Sequence, residues 1–275
     1  MTGSGKLVGT LRAIALYGWL ALVFGFVFAP IASTVIFSFN ADRFPSLPWG
    51  GFSLDWYRAV FADETVRRSF GNSLVVAGVS SVIATFLGFT AAYVDYRFRF
   101  FGKQIYMAIA ALPPTVPVVI LGVAMLTFQG RIGLSGTLAG IVAAHVVIAA
   151  PFAMALVRMR LSDLDPALEP AAWNLGAGPW MTLRQIILPF TLPAIVAALF
   201  ITASVSFDEF MIAWFISGLN ETLPVRVLAM LQGQVSPRIN AVGALAFAVS
   251  TILVVLAQLI IARRVSLGRS KGTRP

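Results

Sequence analysis

The sequence predicts an all-α, polytopic membrane protein with six transmembrane helices in one domain, residues 1–275. Hydrophobic residues make up 59% of the chain and charged residues only 11%, whereas charged residues are about a quarter of an ordinary soluble domain. The apolar residues also form six long runs, separated by segments that hold most of the charges. Runs of this kind can cross the roughly 30 Å hydrocarbon core of a bilayer as helices.

The six predicted spans lie at about 13–39, 70–94, 104–128, 137–157, 195–216 and 241–262. The first run is longer than the roughly 7 to 15 apolar residues of a signal-peptide core, so we expect it to remain as a helix. The outer segment after it should hold a short interfacial helix from Asp55 to Glu64. The second span ends in a basic, aromatic turn, Asp95–Lys103, which is typical of a cytoplasmic loop.

The third span contains Pro113, Pro114 and Pro117. Proline removes a backbone donor, so these residues predict a kink or an unwound segment, which lipid tolerates only where the backbone faces protein or water. The alternative is that the prolines merely bend the helix to fit its neighbours.

The fourth span contains His145, the one histidine of the chain. No second histidine, cysteine or carboxylate lies at a metal-ligand spacing from it. We therefore expect a hydrogen-bonded residue between helices rather than a metal ligand or a proton carrier.

The fifth span carries two adjacent acids, Asp208 and Glu209, beyond its middle. An ionised carboxylate there costs about 2.5–3.5 kcal/mol on insertion scales, so each should face water or a partner. At about 100° per residue, Glu209 shares a helix stripe with Thr202 and Ser206, whereas Asp208 shares another with Ser204. These five residues are the predicted substrate-pathway residues.

The basic residues predict that both termini are cytoplasmic. Six spans put the termini on one side, and 13 of the 20 Lys and Arg residues lie on that side in this topology, against 7 on the other. The net charge of +9 is thereby explained by membrane orientation, and no nucleic-acid partner is expected.

A long polar segment, residues 158–194, lies between the fourth and fifth spans and is predicted to form two short helices joined by a glycine turn. In the first helix, Pro170 suits the first helical position and leaves Glu169 as the cap. Gly176 suits the left-handed residue that ends this helix. The second helix is expected to begin at the next Gly-Pro pair and to end at Pro189.

This segment resembles the cytoplasmic coupling loop of ABC importer permeases. The family pattern is Glu-Ala-Ala, followed by a glycine and, further on, by Ile-x-Leu-Pro. Pro170 stands where the family has its glutamate, and Glu169 comes one residue earlier. The matching residues are Ala171, Ala172, Gly176, Ile186, Leu188 and Pro189.

Other segments extend the resemblance over nearly the whole chain. They look most like the second permease subunit of spermidine/putrescine importers. These segments are Asn72-Ser73-Leu74, Leu112-Pro113-Pro114, Ser206–Phe210, Leu223-Pro224 and Ser236-Pro237.

The resemblance implies a permease subunit of an ATP-driven importer in the bacterial inner membrane. Its expected partners in the membrane and cytoplasm are a second, related permease chain and two ATPase subunits, which would hold the ATP and Mg. A periplasmic binding protein would deliver a small, cationic, polyamine-like solute. This chain itself would carry no cofactor and no enzymatic activity. The residues expected to couple it to the ATPase are Glu169, Ala171, Ala172, Gly176, Leu188 and Pro189.

An autonomous secondary transporter or channel is the alternative interpretation, and a membrane scaffold without a pathway is a third. Kinked spans and intramembrane acids suit any transporter, whereas six spans with a cytoplasmic two-helix loop favour the importer subunit. No glycine-rich loop ending in Gly-Lys-Ser/Thr occurs, so ATP would have to be hydrolysed by a partner. An enzyme is not expected, because Asp208 and Glu209 would point about 100° apart on a helix, which is a poor acid/base pair.

Overall fold

The computed structural model describes residues 3–42, 48–233 and 237–271, with side chains over 9–42, 48–233 and 237–262. Within these ranges the chain is almost entirely helical, and the one β pairing is a bridge between Asn40 and Phe52. The predicted all-α class is confirmed. The α-helices are α1 Gly3–Phe37, α2 Asp55–Ala62, α3 Glu64–Arg97, α4 Lys103–Ala111, α5 Val118–Ile132, α6 Leu138–Ser162, α7 Leu168–Asn174, α8 Pro179–Thr182, α9 Leu188–Asp208, α10 Met211–Ile216, α11 Leu223–Gln232 and α12 Arg238–Lys271.

Five helical elements in the described residues are long and apolar enough to cross a membrane. They correspond to the first, second, fourth, fifth and sixth predicted spans, with bounds that differ from the predicted ones. The third predicted span, 104–128, is not among them, so the count of six stays a prediction. The five elements are Gly9–Phe37, Glu64–Arg97, Leu138–Ser162, Pro179–Asp208 and Arg238–Ala262.

The third predicted span is interrupted by its prolines. α4 ends at Ala111, a 3₁₀ turn covers Pro113–Thr115, and α5 begins after Pro117. Val116 between them is extended, with φ −77° and ψ 134°. Because proline lacks the N–H that would continue an α-helix, three prolines so close together break the backbone hydrogen bonds. The alternative of a simple bend is wrong, and the unwound segment is observed.

The fifth membrane helix begins earlier than predicted and passes through Pro189. α8 continues through a π-turn, Leu183–Ile187, directly into α9, so Pro179–Asp208 is one helical element. The prediction that Pro189 ends the second loop helix is therefore wrong. The π-turn widens the helix just before the proline, with the Leu188 N–H bonded to the Leu183 carbonyl five residues back, and this leaves room for the proline ring.

The same helix ends earlier than predicted, at its two acids. α9 stops at Asp208, and Glu209 is extended, with φ −68° and ψ 120°, before the short helix α10. The prediction of a single helix over 195–216 is therefore wrong. Because Glu209 lies outside the helix, the 100° spacing that placed it on a stripe with Thr202 and Ser206 does not apply.

The chain divides into two compact units, and the larger one, Glu64–Ala229 with Ala246–Pro275, contains the packed helices α3, α6 and α9. Gly88 marks a close approach of α3 to α6, because a Cβ there would lie 2.6 Å from the Ala153 Cβ and 2.6 Å from the Met154 nitrogen. Small residues allow membrane helices to pack this closely. The buried alanines of these helices are Ala77, Ala84, Ala92, Ala144, Ala149, Ala153, Ala197, Ala198 and Ala203.

The smaller unit, Met1–Asp63 with Met230–Leu245, contains α1 and α2. The indole N–H of Trp56 donates to the Asn40 carbonyl at 2.8 Å, which holds α2 against the segment that follows α1. The interfacial helix was predicted to run from Asp55 to Glu64, and it corresponds to α2, which ends at Ala62. Asp63 is extended, and Glu64 already belongs to α3.

Candidate functional site

The predicted coupling loop, residues 158–194, contains α7 and α8 and the glycine turn between them. α7 begins after Ala167, so Glu169 is its second residue and Pro170 its third. The prediction that Glu169 caps this helix is wrong. The helix starts earlier because the Asp165 carboxylate accepts a hydrogen bond from the Ala167 N–H at 2.9 Å and orders the preceding turn. Pro170 is tolerated since the N–H groups of a first helical turn have no partner within the helix.

The turn after α7 is a Schellman motif centred on Gly176. Gly176 has the left-handed conformation that was predicted, with φ +84°. Its N–H bonds to the Trp173 carbonyl at 2.9 Å, and the Ala177 N–H bonds to the Ala172 carbonyl at 3.0 Å. α8 then begins with Pro179 at its first position, as predicted. The turn is thus defined by two backbone hydrogen bonds and one glycine.

Glu169 faces the body of the protein. It is only 6% exposed, and its Oε2 lies 3.8 Å from Nη1 of Arg97, the last residue of α3. Tyr96 is a second hydrogen-bonding neighbour of the carboxylate. The Arg97 guanidinium also lies over the Trp173 ring, 4.8 Å from its centre. Arg97 was not among the predicted site residues, because in the sequence it is only one more basic residue of a predicted cytoplasmic turn.

The outer surface of the coupling loop is apolar. Leu175 is 89% exposed and Trp180 is 71% exposed. Large exposed apolar patches on a protein surface are typical of sites that contact a partner. We call the exposed set the apolar patch, and it consists of Leu168, Trp173, Leu175, Trp180 and Met181.

The other predicted coupling residues fall into two places. Ala171 is exposed and Ala172 half-buried on α7, close in sequence to the glycine turn. Leu188, half-buried, and Pro189, exposed, are the first residues of α9 and belong to the continuous membrane helix. The structure therefore places the Ala-Ala-Gly part of the motif on α7 and the turn after it, and the Leu-Pro part on the continuous helical element Pro179–Asp208.

A buried polar cluster lies among α3, α6 and the end of α9. His145 Nδ1 is 2.8 Å from Ser206 Oγ, which is 2.7 Å from Ser80 Oγ. His145 Nε2 faces Glu209 Oε2 at 3.5 Å. His145 is thus hydrogen-bonded between helices, as expected. The described part of the chain contains no group of three His, Cys, Asp or Glu side chains that could hold a metal ion.

Glu209 is held by backbone N–H groups. Its carboxylate oxygens accept hydrogen bonds from the Ile212 and Ala213 N–H groups, each at 3.0 Å, and the side chain is only 7% exposed. The first N–H groups of a helix have no partner within it, so this carboxylate completes the start of α10. Together with His145, these contacts satisfy a buried acid in the way that buried polar groups require. Glu209 therefore stabilises the break between α9 and α10.

Asp208 has different surroundings. It is exposed, and the Ser250 hydroxyl of α12 donates a hydrogen bond to it at 2.5 Å. Ser204 is a second hydrogen-bonding neighbour, in line with the stripe predicted for these two residues. Among the residues that the structure describes, Asp208 forms no ion pair with a lysine or arginine. Its neighbours among the described residues are therefore hydroxyl groups rather than cations.

Several polar partners of the predicted pathway residues were missed. Thr202 lies 3.3 Å from Thr85, hydroxyl to hydroxyl, and Ser206 bonds to Ser80, so both α9 residues are paired with α3. Ser73 of α3 also accepts the Leu223 N–H at 2.7 Å. Ser73 and Ser80 are seven residues apart, which is the spacing of one helix face, and this signal could have identified a polar face on the second span.

Residues 84–267 match the family of binding-protein-dependent transport system inner membrane components. The matched range contains the coupling loop and both acids. The chain belongs to this family. The spermidine/putrescine transport system permease protein PotC of Haemophilus influenzae is 32% identical over 243 residues, which cover 88% of the present chain and 94% of that protein. The putrescine transport system permease protein PotI of Escherichia coli K12 is 32% identical over 252 residues, 89% of each chain.

A solved structure supports the fold of the permease. The crystal structure of a bacterial ABC transporter involved in the import of the acidic polysaccharide alginate contains a chain that matches with a TM-score of 0.72, over 94% of this permease and 99% of that chain. The identity is 18%, so this likeness concerns the fold alone.

The permease is therefore a transmembrane subunit of an ABC importer in the bacterial inner membrane. Subunits of this family work with ATPase subunits and periplasmic binding proteins, and the ATPase carries ATP hydrolysis, so the permease is not an enzyme. The family decides against the autonomous secondary transporter or channel.

Proposed function

We propose that the permease forms one half of the membrane pathway for a small cationic solute of the polyamine type. Two relatives that are 32% identical over most of the chain are named as permeases for spermidine/putrescine and for putrescine. The observation that carries the proposal is Asp208, an exposed carboxylate at the end of a membrane helix without a basic partner among the described residues. A carboxylate at the middle of a membrane helix costs about 2.5–3.5 kcal/mol on insertion scales, so an acid near a membrane needs water or a partner, and an ammonium group is a suitable partner for Asp208.

The neighbouring residues divide between the pathway and the core. Ser204 is buried beside Asp208 and would orient its carboxylate rather than meet the solute. Glu209 is already satisfied by His145 and by backbone N–H groups, so it has little attraction left for a passing cation. Thr202 and Ser206, predicted for the pathway, are buried and paired with α3, which favours a packing role.

We infer the assembly of the importer from the same family. The permease would pair with a second, related permease chain and with two ATPase subunits, which bind the ATP and Mg, and this chain would hold no cofactor of its own. Both termini would be cytoplasmic. The apolar patch of the coupling loop would meet the ATPase, because large apolar side chains on an otherwise polar loop suit a protein contact.

The pathway role is tested by a pair of isosteric variants in the reconstituted importer. Asp208→Asn should lower the uptake of radiolabelled putrescine and spermidine about tenfold or more, the factor that corresponds to losing about 1.4 kcal/mol of interaction. The yield of assembled complex, measured as ATPase copurified with the permease, should stay normal. Glu209→Gln is the matched comparison and should lower that yield, because one amide oxygen and a donor group replace two accepting oxygens at a buried site.

Two results would contradict the assignment. Wild-type uptake by Asp208→Asn would remove this acid from the pathway. Loss of uptake by Glu209→Gln at a normal yield of complex would transfer the role to Glu209.

A further inference from the structure

Arg97 lies between two side chains of α7. Its Nη1 is 3.8 Å from Glu169 Oε2, and its guanidinium carbon is 4.8 Å from the centre of the Trp173 ring. Glu169 and Trp173 are four residues apart, so they stand one turn apart on the same face of α7. This contact is largely shielded from solvent, since the side chains of Glu169 and Arg97 are 8% and 29% exposed.

The Arg97 contact is the main polar attachment of α7 to the membrane helices. In the part of the chain that the structure describes, the polar contacts from α7 to α3 come from Arg97 and its neighbour Tyr96. The remaining hydrogen bonds of α7 are local ones, in its own turns. Among the polar contacts of the described residues, these two residues therefore link a movement of α7 to α3.

The same end of α3 is tied to two other helices. The Asp95 carboxylate lies 2.7 Å from Nε of Arg158, near the end of α6, and 3.1 Å from Nζ of Lys103, the first residue of α4. Lys103 Nζ also donates to the Asp95 carbonyl. A displacement of the end of α3 is thereby shared with α4 and α6.

We propose that Arg97 is the positioning residue through which the coupling loop moves the membrane helices, with Glu169 as its internal partner. The inference rests on the proposed coupling role of the loop, and it leaves the ATPase contact to the apolar patch. A guanidinium suits both neighbours, because it pairs with a carboxylate and stacks on an aromatic ring. Lysine keeps the charge but has no planar group to stack on Trp173 in this way.

The attachment is measured directly by a distance between spin labels. The permease has no cysteine, so Asn174→Cys on α7 and Phe98→Cys after α3, both exposed, give one labelled pair. In the complex with its ATPase, the distance distribution should be narrow and equal in the nucleotide-free and vanadate-trapped states. Arg97→Ala should broaden or shift it, and Arg97→Lys should do so in part. The double variant Arg97→Glu with Glu169→Arg, which keeps an opposite-charge pair, should recover part of the narrow distribution.

The functional readout is ATP hydrolysis stimulated by the spermidine-loaded binding protein. Arg97→Ala should reduce the stimulation about fivefold or more, the lower end of typical coupling between sites, while the ATPase still copurifies. Arg99→Ala, which removes an exposed arginine of the same turn, is the matched control and should change neither readout.

The outcomes separate this inference from the coupling role on which it rests. An unchanged label distance and normal stimulation in an assembled Arg97→Ala complex would overturn the role of Arg97 alone. Normal stimulation in Arg97→Ala and also in a variant with a distorted loop, such as Gly176→Val, would overturn the coupling role of the loop and the inference with it.

Discussion

Replacing Gly88 with alanine tests the packing of α3 on α6. A Cβ at this position would lie 2.6 Å from the Ala153 Cβ, 2.6 Å from the Met154 nitrogen and 2.9 Å from the Ala150 carbonyl oxygen. Non-bonded carbon atoms prefer about 3.5–4.0 Å, so the two helices would have to separate by roughly 1 Å. Two of the obstructing atoms are backbone atoms and the third is an alanine methyl, so no side-chain rotation relieves the clash. We expect Gly88→Ala to destabilise the permease by about 1–3 kcal/mol, the usual cost of overpacking a core.

Gly78 on the same helix is the matched control for this variant. Nothing lies within 4 Å of the position that its Cβ would take. Gly78→Ala should therefore be neutral or stabilising by up to about 1 kcal/mol, because alanine is the better helix former. The assay is the apparent Tm of the purified permease in detergent, followed as the loss of the monodisperse peak in size-exclusion chromatography. A Gly88→Ala variant that melts with the wild type would refute the close approach of α3 and α6.

Two further predictions concern the coupling loop and the topology. Gly176→Val places a β-branched residue at φ +84°. No atom lies within 4 Å of the added Cβ, but this backbone conformation costs a non-glycine residue about 1–2 kcal/mol. Uptake should therefore fall while the ATPase still copurifies. Gly178→Val, at φ −79°, is the control and should keep uptake near wild type. Ser135→Cys should react with a membrane-impermeant thiol reagent from outside, and the exposed Asn174→Cys only after the membrane is opened. Labelling of Asn174→Cys in sealed cells would contradict a cytoplasmic coupling loop.

The glycine turn of the coupling loop could be predicted from the sequence because its causes are local. Gly176 relieves the steric cost of a positive φ, and Pro179 fixes the start of the next helix by its own ring. The break near Pro113 and Pro117 follows in the same way from missing N–H groups. In these places a few neighbouring residues decide the backbone conformation.

The failed predictions depend on contacts or geometry that the sequence does not show. In the sequence, Pro189 predicts a helix end, but the π-turn before it allows the helix to continue. In the sequence, Glu209 is one more residue of an apolar helical run. In the structure it lies outside the helix, where it accepts hydrogen bonds from N–H groups of α10 and faces His145 on α6. The 100° spacing holds only within a continuous helix. It therefore predicts the neighbourhood of Asp208 and Ser204 correctly but not the position of Glu209, which follows the end of α9.

The coupling loop has its acid one residue before the glutamate position of the pattern that it resembles, and this shift changes what the acid can contact. Successive residues of a helix point about 100° apart. Position 170, where the family has its glutamate, is exposed, whereas Glu169 is buried against Arg97. An acid at position 170 would therefore face solvent and any partner on that side, while the acid at position 169 serves an attachment inside the chain. Proline at position 170 offers a partner neither a charge nor an N–H, so we expect the apolar patch, rather than an acid, to make the contact on this side of the permease.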